Sequence, residues 1–292
     1  MKMGRWGVLL IIAGVAGCFF MQHGNSASSK PKVDARAAIL MDSNTAVVYY
    51  ESNADEPLAP ASMSKMMTEL LILEDVHSGK RKWTESVNIS SYAANVSGSK
   101  IGIKPKDTFT LRELFEAMVV HSANDAAIAL AEYVSESESK FVLRMNQESK
   151  RIGLSSKTVF ANSTGLSASD IIGFKTAAAV GDTVMTARDI AKLASYLVSS
   201  YPEVLDITRL PEVKLSHNNI TLQATNLMLP GERYAYFGND GLKTGYTDEA
   251  GYCFTGTAMR DGRRLISVVM GTSAPEARFK ETEKLFEYAF GK

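Results

Sequence analysis

Strand-forming residues stand at both ends of this chain with helix-forming residues between them, and that order restricts the folds open to it. Near the start, Arg36 to Met41 and Ala46 to Tyr50 are apolar and β-branched, with turn chemistry at Asp42-Ser43-Asn44-Thr45 between them, which predicts a hairpin. After Pro211, Val213 to Leu215, Ile220 to Gln223, Gly241 to Lys243, Ala250 to Met259 and Arg264 to Thr272 are the strand candidates. Asp261-Gly262 joins the last two as a hairpin turn. The middle reads as helices: Met63 to Leu73 at helical spacing, a capping box at Thr110-Leu111-Arg112-Glu113 opening a run to His121, then Asp125 to Val134, Glu138 to Ile152 and Thr186 to Ser199. Trp83 to Lys106 has little periodicity and is expected as a short strand and an extended loop. Pro275 to Phe290 closes the chain as an amphipathic helix, with Phe279, Leu285, Phe286 and Phe290 on its buried side. The expectation is an α/β fold: one antiparallel sheet formed from both chain ends, with a helical subdomain inserted over about residues 68–210.

Chemistry enters at Ala61-Ser62-Met63-Ser64-Lys65. Ser62 and Lys65 are three residues apart at the head of an apolar helical run, so they share a helix face. A buried amine beside that hydroxyl can act as its base. The same spacing also arises as a helix cap followed by a solvated lysine, so it decides little alone. Two further stretches accompany it: Ser122-Ala123-Asn124 in a break between helices, and Lys243-Thr244-Gly245 at a strand.

Three motifs of these types in this order are those of the serine acyl-transferases that react with penicillin. With Leu58-Ala59-Pro60-Ala61-Ser62, Ser122-Ala123-Asn124-Asp125-Ala126-Ala127, Asn162-Ser163-Thr164-Gly165-Leu166 and Gly241-Leu242-Lys243-Thr244-Gly245-Tyr246-Thr247, the chain resembles the D-alanyl-D-alanine carboxypeptidases, the low-molecular-mass penicillin-binding proteins, from Ala37 to Phe290. The resemblance implies a penicillin-binding-protein/β-lactamase-like serine transpeptidase fold. It also implies a serine-type carboxypeptidase that removes the terminal D-alanine of peptidoglycan stem peptides through an acyl-enzyme on Ser62, with β-lactams as covalent inhibitors and no cofactor.

Residue by residue, Lys65 is the expected base, with Lys243 as the second cation that helps to keep it neutral. Ser122 is expected to relay a proton toward the leaving amine, and the Asn124 amide to bind Lys65 or the substrate backbone. The family resemblance places the oxyanion donors at the backbone N–H groups of Ser62 and Tyr246, beside Gly245. Thr244 and Arg278 are the candidates for the substrate carboxylate, Arg278 because the family's carboxylate-binding arginine falls shortly after the last strand. A class A β-lactamase shares the three motifs, but its deacylating Glu-x-x-Leu-Asn loop has no counterpart between the second and third of them. A non-hydrolytic β-lactam or cell-wall receptor is the other alternative. His121 and His217 lack partners for a Ser-His-Asp system and are expected to be structural, and Cys253 to be buried.

Charge and composition narrow the class. Lys plus Arg equals Asp plus Glu at 32 each, which leaves no global basic field for a nucleic acid. Two cysteines and four histidines without ligand spacing predict no structural disulfide and no metal. At the N-terminus, Lys2 and Arg5 precede an uncharged run from Trp6 to Met21, which as a helix would cover only about 24 Å, short of a bilayer core of roughly 30 Å. Residues 1–27 are therefore expected as a secretory signal, cleaved near Ser26-Ala27-Ser28. Lipidation at Cys18 within Val15-Ala16-Gly17-Cys18 and an uncleaved anchor are left open. A mobile leader over residues 28–35 and a catalytic domain over 36–292 follow, on the outer face of the cytoplasmic membrane or in the periplasm. Many members of the family continue into a β-rich domain and a membrane-resting helix, neither of which falls within these 292 residues. Membrane association is expected through the N-terminal segment.

Overall fold

The computed structural model describes residues 30–291 apart from 175, 179, 180, 217 and 218. Its centre is a five-stranded sheet in which every neighbouring pair is antiparallel. The strands are β1 (Ala37–Asp42), β2 (Val48–Ser52), β7 (Asn239–Thr247), β8 (Gly251–Arg260) and β9 (Arg263–Thr272), in the order β2-β1-β9-β8-β7. Both chain ends therefore build one sheet, as expected. Helices cover both of its faces, so alternate residues of each strand enter different cores: Ala37, Ile39 and Met41 join the large helical core, while Ala38 and Leu40 face the closing helix. Two buried faces explain why these strands read as continuous apolar runs.

Between the strands lie α1 (Lys65–His77), α2 (Ser91–Asn95), α3 (Leu111–His121), α4 (Asn124–Ser135), α5 (Glu138–Arg151), α6 (Ala168–Ile171), α7 (Ala187–Ser200) and α8 (Val204–Thr208). The Thr110 capping box is formed: its hydroxyl accepts from the Glu113 N–H at 3.2 Å and the Glu113 carboxylate accepts from the Thr110 N–H at 2.9 Å. Every residue of α1 from Lys65 to Leu73 is buried, charged ones included, because helices pack around it. The last helix, α9 (Ala277–Phe290), lays Phe279, Leu285 and Phe286 on β8 and β9, with Phe290 partly buried at the edge.

Several elements differ from the reading of the sequence. β2 starts at Val48 rather than Ala46, because the Asp42 carboxylate accepts the Asn44 and Thr45 N–H groups at 2.9 Å each and extends the turn to Ala46, whose φ is 58°. Within the stretch expected to be extended, Ser90 caps the short α2, and β3 (Ser86–Asn88) pairs with β4 (Thr108–Thr110). Elements so short carry no readable period. β5 (Glu212–Leu215) and β6 (Ile220–Gln223) pair only with each other and pack on α3 instead of joining the main sheet. β7 runs on past Lys243, so the Lys-Thr-Gly motif lies wholly within a strand.

Of the leader expected over residues 28–35, Lys30 donates to the Glu51 carbonyl at 3.1 Å, and Val33 and Ala35 pack against the core beneath α9. The expected signal, with Cys18 and its cleavage site, lies outside the described residues, as does His217. Among the described residues no helix is long and apolar enough to cross a membrane.

Candidate active site

Pro60 delivers the chain into a single 3-10 turn, Ala61–Ser64, that leads directly into α1. Ser62 sits on the turn and Lys65 on the first position of the helix. This places the Lys65 Nζ 2.8 Å from the Ser62 Oγ. The amine also donates to the Asn124 Oδ1 at 2.7 Å and to the Thr164 carbonyl at 2.8 Å. Both of those oxygens can only accept, so they occupy two N–H groups of the amine. In its neutral form the third position is a lone pair, and the Ser62 hydroxyl donates to it.

The neutral form is favoured where Lys65 sits. The side chain is wholly buried, and that burial together with the charge of Lys243 holds its amine well below the ordinary lysine range, against the pull of Glu69 and Asp125. Lys243 is buried as well, donates to the Thr244 carbonyl at 3.1 Å, and is itself lowered by burial.

Each partner of Lys65 is held by its own network. Asn124 opens α4; its Nδ2 donates to the Ser97 carbonyl at 2.8 Å and its backbone N–H to Ser99 at 2.7 Å. The next residue, Asp125, accepts from the Ile101 and Gly102 N–H groups at 3.0 and 2.9 Å, which ties the loop after α2 to the head of α4. Thr164 belongs to a loop wound around Asn162, whose Oδ1 accepts from the Thr164 N–H at 3.0 Å and the Gly165 N–H at 2.7 Å. Ser163 donates to the buried Glu138 through N at 3.0 Å and Oγ at 2.7 Å. The Asn162 to Leu166 stretch, read from sequence as a turn at the cleft edge, thus also supplies a carbonyl to the lysine.

A cleft of about 270 Å³ opens over this cluster, lined in part by Ser62, Ser122, Asn124, Thr225, Thr244, Gly245, Tyr246 and Arg278. Lys65 and Lys243 lie behind its wall. Ser122 ends α3 in the left-handed region at φ 63°, a conformation a serine adopts only when its surroundings impose it. Thr244 donates from Oγ1 to the Thr225 Oγ1 at 2.6 Å. Gly245 has no substitute: a Cβ there would lie 2.8 Å from the Pro60 carbonyl oxygen and 3.2 Å from the Ser62 nitrogen. Its absence lets β7 lie against the backbone of the serine turn. Tyr246 stacks on Tyr252 at 4.3 Å between centroids and donates to Asp248 at 2.8 Å. Arg278, in the first turn of α9, donates from Nη1 to the Gly245 carbonyl at 3.2 Å, while its buried Nε has no hydrogen-bond partner among the described residues.

All nine residues expected at the site therefore converge. Thr164 and Thr225 were not singled out from sequence; Thr164 falls within the quoted Asn-Ser-Thr-Gly run, and Thr225 lies in a loop with no distinguishing pattern. His121 bonds through Nδ1 to the Gln223 carbonyl at 3.0 Å, and Cys253 is buried and free, both as expected.

The sequence profile of the D-alanyl-D-alanine carboxypeptidases matches residues 24–274. The chain belongs to that family. Over 285 residues it is 35% identical to the D-alanyl-D-alanine carboxypeptidase DacF of Bacillus subtilis, covering 97% of this chain and 68% of that protein. Against the D-alanyl-D-alanine carboxypeptidase DacC of Escherichia coli it is 36% identical, covering 89% of this chain and 62% of that one. It thus spans about two thirds of the length of these relatives. Among solved structures, penicillin-binding protein D2 of Listeria monocytogenes in its ampicillin-bound form is 39% identical with a TM-score of 0.78, covering 89% of this chain and all of that one. A penicillin-binding protein 3 from Streptococcus pneumoniae superposes at a TM-score of 0.83 with 34% identity, covering 88% of this chain and 74% of that one. The fold of this carboxypeptidase-family chain is accordingly the penicillin-binding-protein fold expected from its motifs.

Proposed function

We propose that the protein is a serine D-alanyl-D-alanine carboxypeptidase acting on peptidoglycan stem peptides outside the cytoplasm. One observation carries the reading: the Ser62 hydroxyl meets a buried amine two of whose N–H groups are taken by carbonyl oxygens. Ser62 Oγ attacks the carbonyl carbon between the two terminal D-alanines as its proton passes to the Lys65 lone pair. The backbone N–H groups of Ser62 and Tyr246 receive the charge developing on the carbonyl oxygen. Collapse breaks the C–N bond, and the leaving amine takes a proton through Ser122 from the Lys65 ammonium, so D-alanine departs and an ester on Ser62 remains. Water then attacks the ester, giving its proton back through the same groups, and frees Ser62 and the shortened peptide.

Thr244 and Arg278 hold the terminal carboxylate, since a hydroxyl and a cation line the side of the cleft formed by β7 and α9, with the buried Lys243 behind them. β-Lactams present a matching carbonyl and carboxylate and acylate Ser62. The relatives that the chain resembles are peptidases and penicillin-binding proteins, which weighs against a β-lactamase. Export, and membrane association through the N-terminal segment, belong to the same proposal.

The test is intact-mass spectrometry with benzylpenicillin, followed by D-alanine release from diacetyl-lysyl-D-alanyl-D-alanine, with Ser62→Ala alongside. A lasting adduct absent from Ser62→Ala, together with D-alanine release, is expected. Penicillin consumed without an adduct would indicate a β-lactamase. A stable adduct without release would indicate a receptor.

A further inference from the structure

Glu138 is the first residue of α5 and is 0% exposed. A carboxyl group buried in this way is costly unless donors compensate it, and here both of its oxygens are supplied. Oε1 accepts from the Ser163 N–H at 3.0 Å and from the Ser163 hydroxyl at 2.7 Å. Oε2 accepts from the Tyr92 hydroxyl at 2.9 Å and from the Ala178 N–H at 3.1 Å. The four donors are uncharged groups on three separate segments, so the carboxyl joins those segments to the head of α5. Ser163 is also gripped from its other side: its carbonyl accepts from the Thr68 hydroxyl at 2.9 Å, and Thr68 stands three residues past Lys65 on the same face of α1. A residue held at its N–H, its hydroxyl and its carbonyl fixes the peptide plane that enters Thr164. The plane that follows carries the Thr164 carbonyl, 2.8 Å from the Lys65 Nζ.

We infer that Glu138 is a positioning residue for the acylation of Ser62: by holding Ser163 it aims the Thr164 carbonyl at the Lys65 amine and thereby keeps the lone pair of that amine on the serine hydroxyl. The inference rests on the proposed role of Lys65 as the base. Two oxygens, from Asn124 and Thr164, occupy N–H groups of the amine. With both in place the third position of the nitrogen is fixed toward Ser62. With the carbonyl displaced, the amine can turn about its Cε–Nζ bond while still bonded to Asn124, and the lone pair is no longer held on the hydroxyl. A misplacement of about 1 Å in a reacting group can cost about 10²-fold in rate. Glu138 does not line the cleft, so its effect is on the chemical step and not on contacts with the ligand.

The experiment compares Glu138→Gln, Ser163→Ala and Tyr92→Phe in the full chain by stopped-flow acylation over a range of benzylpenicillin concentrations. That range separates the acylation rate constant from the dissociation constant of the complex preceding it, and melting temperatures are taken on the same samples. Glu138→Gln turns one acceptor oxygen into a donor, and should lower the rate constant by about 10- to 100-fold while the dissociation constant stays within about twofold. Ser163→Ala removes one bond to Oε1 and should slow acylation by about threefold or more. Tyr92→Phe removes a bond to Oε2 but leaves Ser163 in place, and should keep the unaltered rate even if its melting temperature falls as far. Rate constants that merely follow melting temperature across the three variants would overturn the inference. So would a folded Glu138→Gln at the unaltered rate, or one whose loss lies in the dissociation constant. If Glu138→Gln does not fold, an unaltered rate in Ser163→Ala overturns it alone. Failure of benzylpenicillin to acylate the unaltered chain would instead remove the Ser62 reading beneath it, which separates the two.

Discussion

Gly165 lies so close to the backbone of Ala61 that a Cβ added to it would stand 2.1 Å from the Ala61 carbonyl oxygen. Its φ of +80° is also one that a side chain disfavours. The loop of Asn162 to Leu166 thus rests on the serine turn, and that seating aims the Thr164 carbonyl at Lys65. Gly165→Ala should push the loop off the turn. Left-handed strain and overpacking should together destabilise the fold by about 2–5 kcal/mol. Penicillin labelling of Ser62 should fall in parallel, and a melting curve with wild-type labelling would refute the coupling.

Asn124 ties the lysine to the loop after α2, accepting from Lys65 and donating to Ser97. In Asn124→Ala both of those partners lose a bond inside the protein. Acylation by benzylpenicillin is expected to slow by about 10²-fold or more, within the range of a misplaced general base. Lys65→Ala, which removes the base itself, should be slower still. Stopped-flow acylation rates of the two variants check the order.

The pH dependence follows from the two lysines. Ser62 needs Lys65 neutral, so acylation falls as pH drops through the Lys65 value; since burial and Lys243 set that value well below an ordinary lysine's, the acid limb should lie well below the pH at which an ordinary lysine titrates. The Lys243 charge behind the carboxylate site is lost as that amine deprotonates, and burial brings it down to about 8, so the alkaline limb should lie near that pH. A profile of kcat/KM for D-alanine release should be bell-shaped. An alkaline limb at the ordinary lysine value would contradict the burial of Lys243.

Arg278 donates to Gly245, and its buried Nε has no hydrogen-bond partner among the described residues. Replacing it with alanine removes a charged hydrogen bond to the substrate carboxylate, worth about 1.5–3 kcal/mol, or roughly 10- to 100-fold in kcat/KM for carboxylate-bearing peptides. Acylation by a reactive thioester without that carboxylate should be unaffected. Equal losses on both substrates would end the carboxylate role.

What the sequence determined by itself is what depends on neighbours along the chain. The Thr110 to Glu113 capping box, the Asp261-Gly262 hairpin, the buried face of α9 and the order of the three motifs are all written within a few residues, because caps, turns and periodicity act over short spans. The placement of Thr164 and Asn124 is different. They reach Lys65 across 99 and 59 positions, and their convergence depends on how the helices pack around α1. The separate β5 and β6 pair and the role of Thr225 likewise come from packing at long range. The decisive case is Lys65 itself: a lysine in a sequence is a solvated cation until the fold takes water away from it. Only the tertiary structure removes that water and brings Lys243 near, and those two physical effects, desolvation and like charge, are what turn the amine into a base.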